Sequence, residues 1–174
     1  MKITKLIKST VERNYLFIQG NLPINSKYFI KKIEEGSTSE DNENYSTNVI
    51  SRMTSYNYFS KNKNFLKVVL PLFDLLDKEA SKPTPSWLIK DAWGFKQSFG
   101  DYSKLHHHIP HKVFVGGVIM LNEHPQSLHF PQINETLESK PGNFALFSSF
   151  LTHYNNRNAT DRDRYGLSFN LYYV

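Results

Sequence analysis

The sequence contains no cysteine, which excludes disulfide bonds, thiolate metal ligands and a cysteine nucleophile. This absence fits a reducing compartment, so we expect a cytoplasmic protein. The sequence also lacks an apolar run of 18 residues, and its most apolar stretch, VFVGGVIML at 113–121, has only the length of a strand. No transmembrane helix is therefore expected. The N-terminal MKITKLIKST lacks the long apolar segment of a signal peptide.

Several functional motifs are missing as well. The net charge is +5, but the basic residues are dispersed and no long basic run is interleaved with aromatic residues. Nucleic-acid binding is therefore not favoured. No Gly-x-Ser-x-Gly elbow or phosphate-binding glycine loop occurs, which argues against a serine hydrolase and a nucleotide-binding loop.

The length of 174 residues and the hydrophobic content of 39% predict one domain, 1–174, with a substantial core. From Trp87 onward, short apolar or alternating runs lie between turn residues, which is typical of an all-β sandwich or barrel. We therefore expect a mixed N-terminal part, 1–86, packed on a β-rich catalytic or binding part, 87–174.

The N-terminal part contains a predicted strand at 15–22 and a predicted helix at 25–36. Asn25 or Ser26 can cap that helix, and Gly36 ends it. The strongest helix pattern is 63–80, where apolar residues recur at helical spacing. Pro71 lies inside this pattern and predicts a kink or a later start. The polar stretch 36–47 is predicted to be an exposed loop.

Four of the seven histidines lie within six positions of the stretch KLHHHIPHKVF, residues 104–114. On a strand, His106 and His108 would point to the same face, while His107 would point away. Pro110 disfavours a helix through the cluster. Neutral imidazole is a good ligand for Fe, Zn, Cu or Ni, so the pair is a candidate metal site.

A third candidate ligand, His153, ends the apolar stretch FALFSSFLTH. A partly buried histidine bonded to a backbone carbonyl is an equally good interpretation of this residue on its pattern alone. His124 and His129 lie in the turn-like EHPQSLHFP and are interpreted as surface or structural residues.

The final strand, RYGLSFNLYYV at 164–174, alternates between an apolar and a polar face. A polar face on such a strand suits a barrel whose lumen holds a polar ligand, although a solvent-exposed face would give the same pattern. A guanidinium can clamp a carboxylate with two parallel hydrogen bonds. The apolar face carries Tyr165, Leu167, Phe169, Leu171 and Tyr173, and the polar face carries Arg164, Gly166, Ser168 and Asn170.

An H-x-H pair, a distant histidine and an arginine eleven residues after it together resemble the 2-oxoglutarate/Fe(II)-dependent oxygenases, in particular those common in phages and bacteria. The resemblance covers roughly residues 48–174. Five segments carry it: NVISRMTSYN (48–57), DAWGFKQSFGDYSKLHHH (91–108), FVGGVIMLN (114–122), KPGNFALFSSFLTH (140–153) and RYGLSFN (164–170).

The resemblance implies a mainly β (α+β) protein, a double-stranded β-helix or jelly-roll barrel with N-terminal supporting helices. It implies a dioxygenase that uses Fe(II), 2-oxoglutarate and O2 to hydroxylate a substrate, either a small molecule or a protein side chain, with release of succinate. The implied metal ligands and catalytic residues are His106, His108 and His153. The implied cosubstrate-binding residues are Arg164, for the distal carboxylate, with Ser168, Asn170 and Tyr102.

Three positions depart from the family pattern. His108 stands where many of these enzymes have Asp or Glu, which removes a negative charge from the metal site. Gly166 replaces a serine of the cosubstrate site, and Ser168 or a tyrosine could take its role. Gly116 also replaces a serine, and the tyrosine that often grips 2-oxoglutarate is absent from that strand; Tyr102 or Tyr172 could substitute. Because the spacing after the cluster is long, His111 is an alternative to His108 as the second ligand.

Two further hypotheses fit the same residues. A three-histidine, cupin-type metalloenzyme without 2-oxoglutarate would suit the all-histidine ligand set but would not explain Arg164. A non-catalytic jelly-roll binding module would place the histidines on a loop without metal. The sequence does not indicate the substrate or the oligomeric state.

Overall fold

The computed structural model describes residues 1–9, 15–37, 48–80, 87–109 and 113–173. These residues form two antiparallel β-sheets and two α-helices. In this described part of the chain, no helix is long and apolar enough to cross a membrane.

Helix α1, Ser26–Gly36, has the predicted bounds and buries Phe29 and Ile33 on one face. Its cap is Asn25 and not Ser26, because the Asn25 side chain accepts a hydrogen bond from the backbone N–H of Tyr28 at 3.2 Å. The cap thus satisfies one of the N–H groups that have no partner within the helix.

Helix α2, Lys63–Ala80, has the predicted bounds. It runs through Pro71, so of the two alternatives given for the proline, a kink or a later start, the later start is excluded. The proline removes one backbone donor from the helix. The helix persists because its apolar face is buried on both sides of the proline, at Phe65 and Val69 before it and at Leu72 and Leu76 after it.

The larger sheet has seven strands in the order β1-β2-β10-β7-β12-β5-β4. Strands that are distant in sequence are neighbours in this sheet, as expected for a jelly roll. The N-terminal part contributes strands to it, including the predicted strand at 15–22 and an unpredicted one before it. The strands are β1 (Lys2–Ser9), β2 (Tyr15–Asn21), β4 (Arg52–Met53), β5 (Trp87–Gln97), β7 (Val115–Met120), β10 (Asn143–Ser148) and β12 (Arg164–Tyr173).

The smaller sheet has five strands in the order β3-β6-β11-β8-β9. The two antiparallel sheets form the mainly β jelly roll that the sequence predicted, with the two helices against the larger sheet. The strands are β3 (Val49–Ile50), β6 (Tyr102–His106), β8 (His124–Phe130), β9 (Glu135–Ser139) and β11 (His153–Asn155).

Every residue of β7 is buried, because the strand is covered on both faces. Val115 and Ile119 pack with the helices in one apolar cluster. Val118 and Met120 point to the opposite face and belong to a second cluster between the two sheets. The functional side chains described below lie at this inner face.

Strand β12 follows the predicted alternation in its described side chains. Leu167, Phe169 and Leu171 lie in the helix-side cluster. Arg164 is only 1% exposed and Asn170 only 7%, so the polar face is turned inward and not to solvent. The larger sheet therefore places polar groups on the inner face of the barrel.

Candidate metal centre

Three histidines converge at the inner face of the smaller sheet. His106, His108 and His153 each offer one ring nitrogen, and these nitrogens lie within 4.8 Å of one another. His106 ends β6 and stands opposite His153, the first residue of β11, in the antiparallel register. Their ring centroids are 4.2 Å apart. The convergence that the sequence predicted for these three residues is present.

His108 reaches the cluster for a different reason from the one predicted. Strand β6 ends at His106, so His108 is not held by the two-residue repeat of a strand. Its backbone N–H instead donates to the carbonyl of Ser149 at 2.7 Å. Its ring Nδ1 lies 2.9 Å from Oδ1 of Asn170. The alternative ligand, His111, lies outside the described residues.

The Nδ1 atom of each imidazole faces an oxygen that can only accept a hydrogen bond. Nδ1 therefore carries the ring proton in all three residues, and Nε2 keeps the lone pair that binds a metal. The acceptors are the backbone carbonyl of Lys104 for His106 at 2.7 Å, that of Leu151 for His153 at 3.1 Å, and Oδ1 of Asn170 for His108 at 2.9 Å.

Burial favours the neutral form that a metal requires. It lowers the pKa of His153 well below its usual value, with a further contribution from the neighbouring His106 and His108. Burial also lowers the pKa of His106. Neutral imidazoles bind a divalent cation without first losing a proton.

Arg164 is a buried cation that has no carboxylate partner among the described residues. Its guanidinium donates to Oε1 of Gln97 at 2.6 Å and approaches Sδ of Met120 at 3.4 Å. Its buried Nε has no hydrogen-bond partner in the part of the chain that the structure describes. Burial lowers the pKa of Arg164 to about 9. Burying a charge without an ionic partner costs free energy, so this arrangement is suited to binding a ligand that carries an anionic group.

Arg164 and the three histidines line one pocket, which also contains apolar walls from both sheets. Trp93, Phe95 and Val118 come from the larger sheet, and Leu128 comes from the smaller. The pocket thus combines a possible metal position with a cation in a largely apolar enclosure, as small-molecule sites do.

Sequence reasoning missed a polar network beside Arg164. Gln97 accepts from Arg164 and donates to Oδ1 of Asn155 at 3.3 Å. The hydroxyl of Ser103 donates to the same oxygen. The available signal was Gln97 itself, a polar residue on the same face of DAWGFKQ as Trp93 and Phe95. Its partners depend on cross-strand register, which the sequence alone does not give.

The predicted cosubstrate-binding residues are found in different places. Ser168 lines the pocket with Arg164. Asn170 is directed at His108. Tyr102 does not line this pocket; the guanidinium of Arg157 lies over its ring at 4.5 Å.

Gly166 and Gly116, where the resemblance to the oxygenases leads one to expect serines, both lie against aromatic rings. A side chain at Gly166 would overlap the ring of Phe95. A side chain at Gly116 would overlap the ring of Phe147 and would lie 3.3 Å from Nδ1 of His108. Glycine at these two positions therefore leaves room for residues of this pocket.

His124 and His129 lie outside the cluster. His124 is buried and makes hydrogen bonds through both ring nitrogens, so its role is structural. His129 is partly exposed, and its Nδ1 lies 3.2 Å from Oγ1 of Thr136.

No protein-family model matches the chain, and no curated protein is similar to it in sequence. Solved structures do match. The viral collagen prolyl hydroxylase vCPH from Paramecium Bursaria Chlorella virus-1, in complex with 2-oxoglutarate, has a TM-score of 0.68 at 11% identity, covering 92% of this chain and 96% of that one.

A prolyl-4-hydroxylase from Pseudomonas putida gives a TM-score of 0.63 at 13% identity, covering 90% of this chain and 91% of that one. HygX from Streptomyces hygroscopicus, with nickel and 2-oxoglutarate bound, gives 0.61 at 12% identity, covering 90% and 81%. The chain therefore has the jelly-roll fold of the 2-oxoglutarate/Fe(II)-dependent oxygenases.

Proposed function

We propose that the protein is a 2-oxoglutarate- and Fe(II)-dependent dioxygenase that hydroxylates a substrate and releases succinate. The observation that carries this proposal is Arg164, a buried guanidinium without a carboxylate partner in the described chain, in the same pocket as three converging imidazoles. A metal-binding 2-oxo acid with a second carboxylate would satisfy both groups at once.

The residues present fit a metal ion. His106, His108 and His153 would hold it through their Nε2 atoms, because each Nδ1 faces an acceptor. Nitrogen ligands suit iron, nickel, cobalt and zinc, and three protein ligands leave positions open for a cosubstrate. When bound, iron would supply the redox chemistry that couples O2 to the oxidation of 2-oxoglutarate and of a substrate C–H bond.

The residues present also fit the cosubstrate. Arg164 would bind the distal carboxylate, and its partnerless Nε is a further donor for that group. Gln97 holds the guanidinium in place through the hydrogen bond to its Oε1. Phe95, Val118 and Leu128 would keep water away from the carbon chain of the ligand.

The matched structures support the reaction class. One is a collagen prolyl hydroxylase in complex with 2-oxoglutarate, and another holds nickel and 2-oxoglutarate. Their low identity to this chain means that the substrate, a small molecule or a protein side chain, has to be found by experiment.

Arg164→Met tests the proposal through binding. We expect the nickel-loaded wild-type protein to bind 2-oxoglutarate in anaerobic calorimetry and Arg164→Met to bind it about 100-fold more weakly, since a charge-assisted pair is lost. Arg162→Met, at an exposed arginine two residues away, is the matched control and should bind normally. Equal affinity of all three proteins would contradict the proposal.

Turnover gives the second test. Iron-loaded protein should release labelled CO2 from 1-labelled 2-oxoglutarate, and Arg164→Met should abolish this release while Arg162→Met retains it. Succinate should appear in the same amount as CO2. No release with any candidate substrate, together with no cosubstrate binding, would rule the function out.

A second candidate function is a three-histidine metalloenzyme that does not use 2-oxoglutarate. The observation that favours it is the ligand set, which contains no carboxylate. Oxygen consumption that depends on iron but is unaffected by 2-oxoglutarate and by Arg164→Met would identify this alternative.

A further inference from the structure

A chain of hydrogen bonds runs from His108 away from the pocket. Nδ1 of His108 lies 2.9 Å from Oδ1 of Asn170. Nδ2 of Asn170 donates to Oδ2 of Asp91 at 3.2 Å, and the hydroxyl of Tyr172 donates to the same oxygen at 2.6 Å. The imidazole is thus connected to a carboxylate through one amide side chain.

The chemistry of these groups fixes the direction of each hydrogen bond. Carboxylate oxygens only accept, so Asp91 requires the NH₂ group of Asn170 to face it. The amide oxygen of Asn170 is then left facing His108. Because this oxygen also only accepts, Nδ1 of His108 has to carry the proton, and Nε2 is free of it. The chain of hydrogen bonds that ends on Asp91 is thus compatible with only one tautomer of His108.

Three neighbouring strands build this arrangement. In the larger sheet, Asn170 of β12 stands opposite Asp91 of β5 on one side and Gly116 of β7 on the other. A side chain at Gly116 would come within 3.3 Å of Nδ1 of His108, so glycine leaves the space in which the ring meets Asn170. Asn170 is 7% exposed, and both ends of its amide are satisfied.

The other two ligand candidates are oriented differently. His106 and His153 face backbone carbonyls, which are neutral. Among the described residues, no carboxylate contacts either of these two rings, whereas His108 is linked to Asp91 through Asn170.

We propose that Asn170 and Asp91 are positioning residues that hold His108 in the Nδ1–H tautomer and orient its Nε2 toward the metal. Asp91 also places a carboxylate behind this ligand, one amide side chain away from it. Partners of this kind typically affect metal affinity by about 10- to 100-fold. The inference rests on the proposed function in taking His108 as a ligand.

The first test uses metal-free protein and so does not depend on metal binding. Long-range ¹H–¹⁵N NMR of ¹⁵N-histidine-labelled protein, at about pH 8 where imidazole is neutral, reports the tautomer of His108. We expect the Nδ1–H tautomer in the wild type and a change toward the Nε2–H tautomer in Asn170→Ala. Asn143→Ala, at another partly buried, hydrogen-bonded asparagine, should leave the tautomer unchanged.

The second test measures nickel(II) affinity by calorimetry. Asn170→Ala should bind nickel about 10- to 100-fold more weakly than the wild type, while Asn143→Ala should bind as the wild type does. The double exchange Asp91→Asn with Asn170→Asp moves the carboxylate next to His108. The NH₂ group then at position 91 can donate both to this carboxylate and to the hydroxyl oxygen of Tyr172, so the connection between the strands is kept with the direction of these hydrogen bonds reversed. The double exchange should restore nickel affinity to the wild-type value or above.

The results separate the two proposals. An Asn170→Ala protein that keeps the Nδ1–H tautomer, or binds nickel within about twofold of the wild type, would overturn the inference. So would a double exchange as weak as Asn170→Ala. A wild type that binds no nickel would instead contradict the proposed function, and the tautomer measurement would still decide the role of Asn170.

Discussion

At the scale of single residues, the candidate site depends on which nitrogen of each imidazole carries the proton. The resemblance to the oxygenases predicted that His106, His108 and His153 lie together, whereas the residue pattern alone left His153 equally well interpreted as a structural histidine. It could not predict the acceptors of their Nδ1 atoms, since Leu151 and Asn170 provide these through local turns and cross-strand contacts. Residue types indicate ligands, whereas the fold determines how each ligand is oriented.

The buried His124 predicts a pH dependence of stability. Its Nδ1 accepts a hydrogen bond from the backbone N–H of Gln126. Protonation of Nδ1 would replace this hydrogen bond by two donors that face each other. Burial lowers the pKa of His124 below its value in the unfolded chain. The unfolded state therefore binds more protons below about pH 6.5, and the unfolding free energy falls as the pH falls through this range.

His124→Gln tests this pH dependence by urea unfolding at about pH 7.5 and about pH 5.5. We expect the variant to be less stable than the wild type by about 1–3 kcal/mol at the higher pH, because buried hydrogen bonds are lost. The difference between the two proteins should shrink at the lower pH. His129→Gln, at a partly exposed histidine, should follow the wild type; a constant difference for His124→Gln would show that His124 does not titrate.

At the scale of elements, the two faces of the larger sheet differ in their contacts. One face packs against the helices, and the other carries polar side chains of the candidate site. Alternation in 164–174 predicted these faces, because side chains of a strand point to opposite sides. The helix at 25–36 was also predictable from its cap candidates Asn25 and Ser26 and from the glycine at its end, although only the structure identifies Asn25 as the cap. Strand β1 was not predicted, since its lysines interrupt the apolar pattern. The position of β6 relative to β11 was not predictable either, because it depends on long-range pairing that local sequence patterns do not contain.

A substitution at Ile33 of α1 tests whether packing on the helix side of the sheet is independent of the metal centre. The side chain is fully buried and contacts the position of Gly94 on β5, on the helix side of the sheet. We expect Ile33→Ala to lower the unfolding free energy by about 2–5 kcal/mol because it leaves a cavity. Nickel affinity of the folded variant should remain that of the wild type.

Lys31→Ala, at a lysine whose side chain is 77% exposed, is the control in the same helix and should change neither quantity. A large loss of nickel affinity in folded Ile33→Ala would show that the helix side of the sheet and the metal centre are coupled.

At the scale of the whole molecule, metal binding should stabilise the fold. The three imidazoles come from two strands and a loop and have no common position in the unfolded chain. A ligand at about 100 times its dissociation constant adds about 2.7 kcal/mol, which corresponds to a rise in Tm of about 5–10 °C for a protein of this size. Calorimetric melts with and without nickel(II) measure this rise.

His153→Ala should abolish the nickel-dependent rise in Tm, and His129→Ala should keep it, because only the former removes a proposed ligand. A chelator should reverse the rise in the wild type. If His153→Ala and the wild type respond equally to nickel, the stabilising site lies elsewhere on the molecule.

The direct pairing of His106 with His153 across two antiparallel strands has a consequence for assembly of the barrel. Side chains alternate between faces, so a slip of one residue between β6 and β11 would turn either His106 or His153 outward and separate this pair of rings. A metal ion bound by both His106 and His153 would therefore stabilise the native register of β6 and β11 and would not stabilise registers shifted by one residue. Metal binding during folding would then favour the correct pairing of these two short strands over shifted pairings.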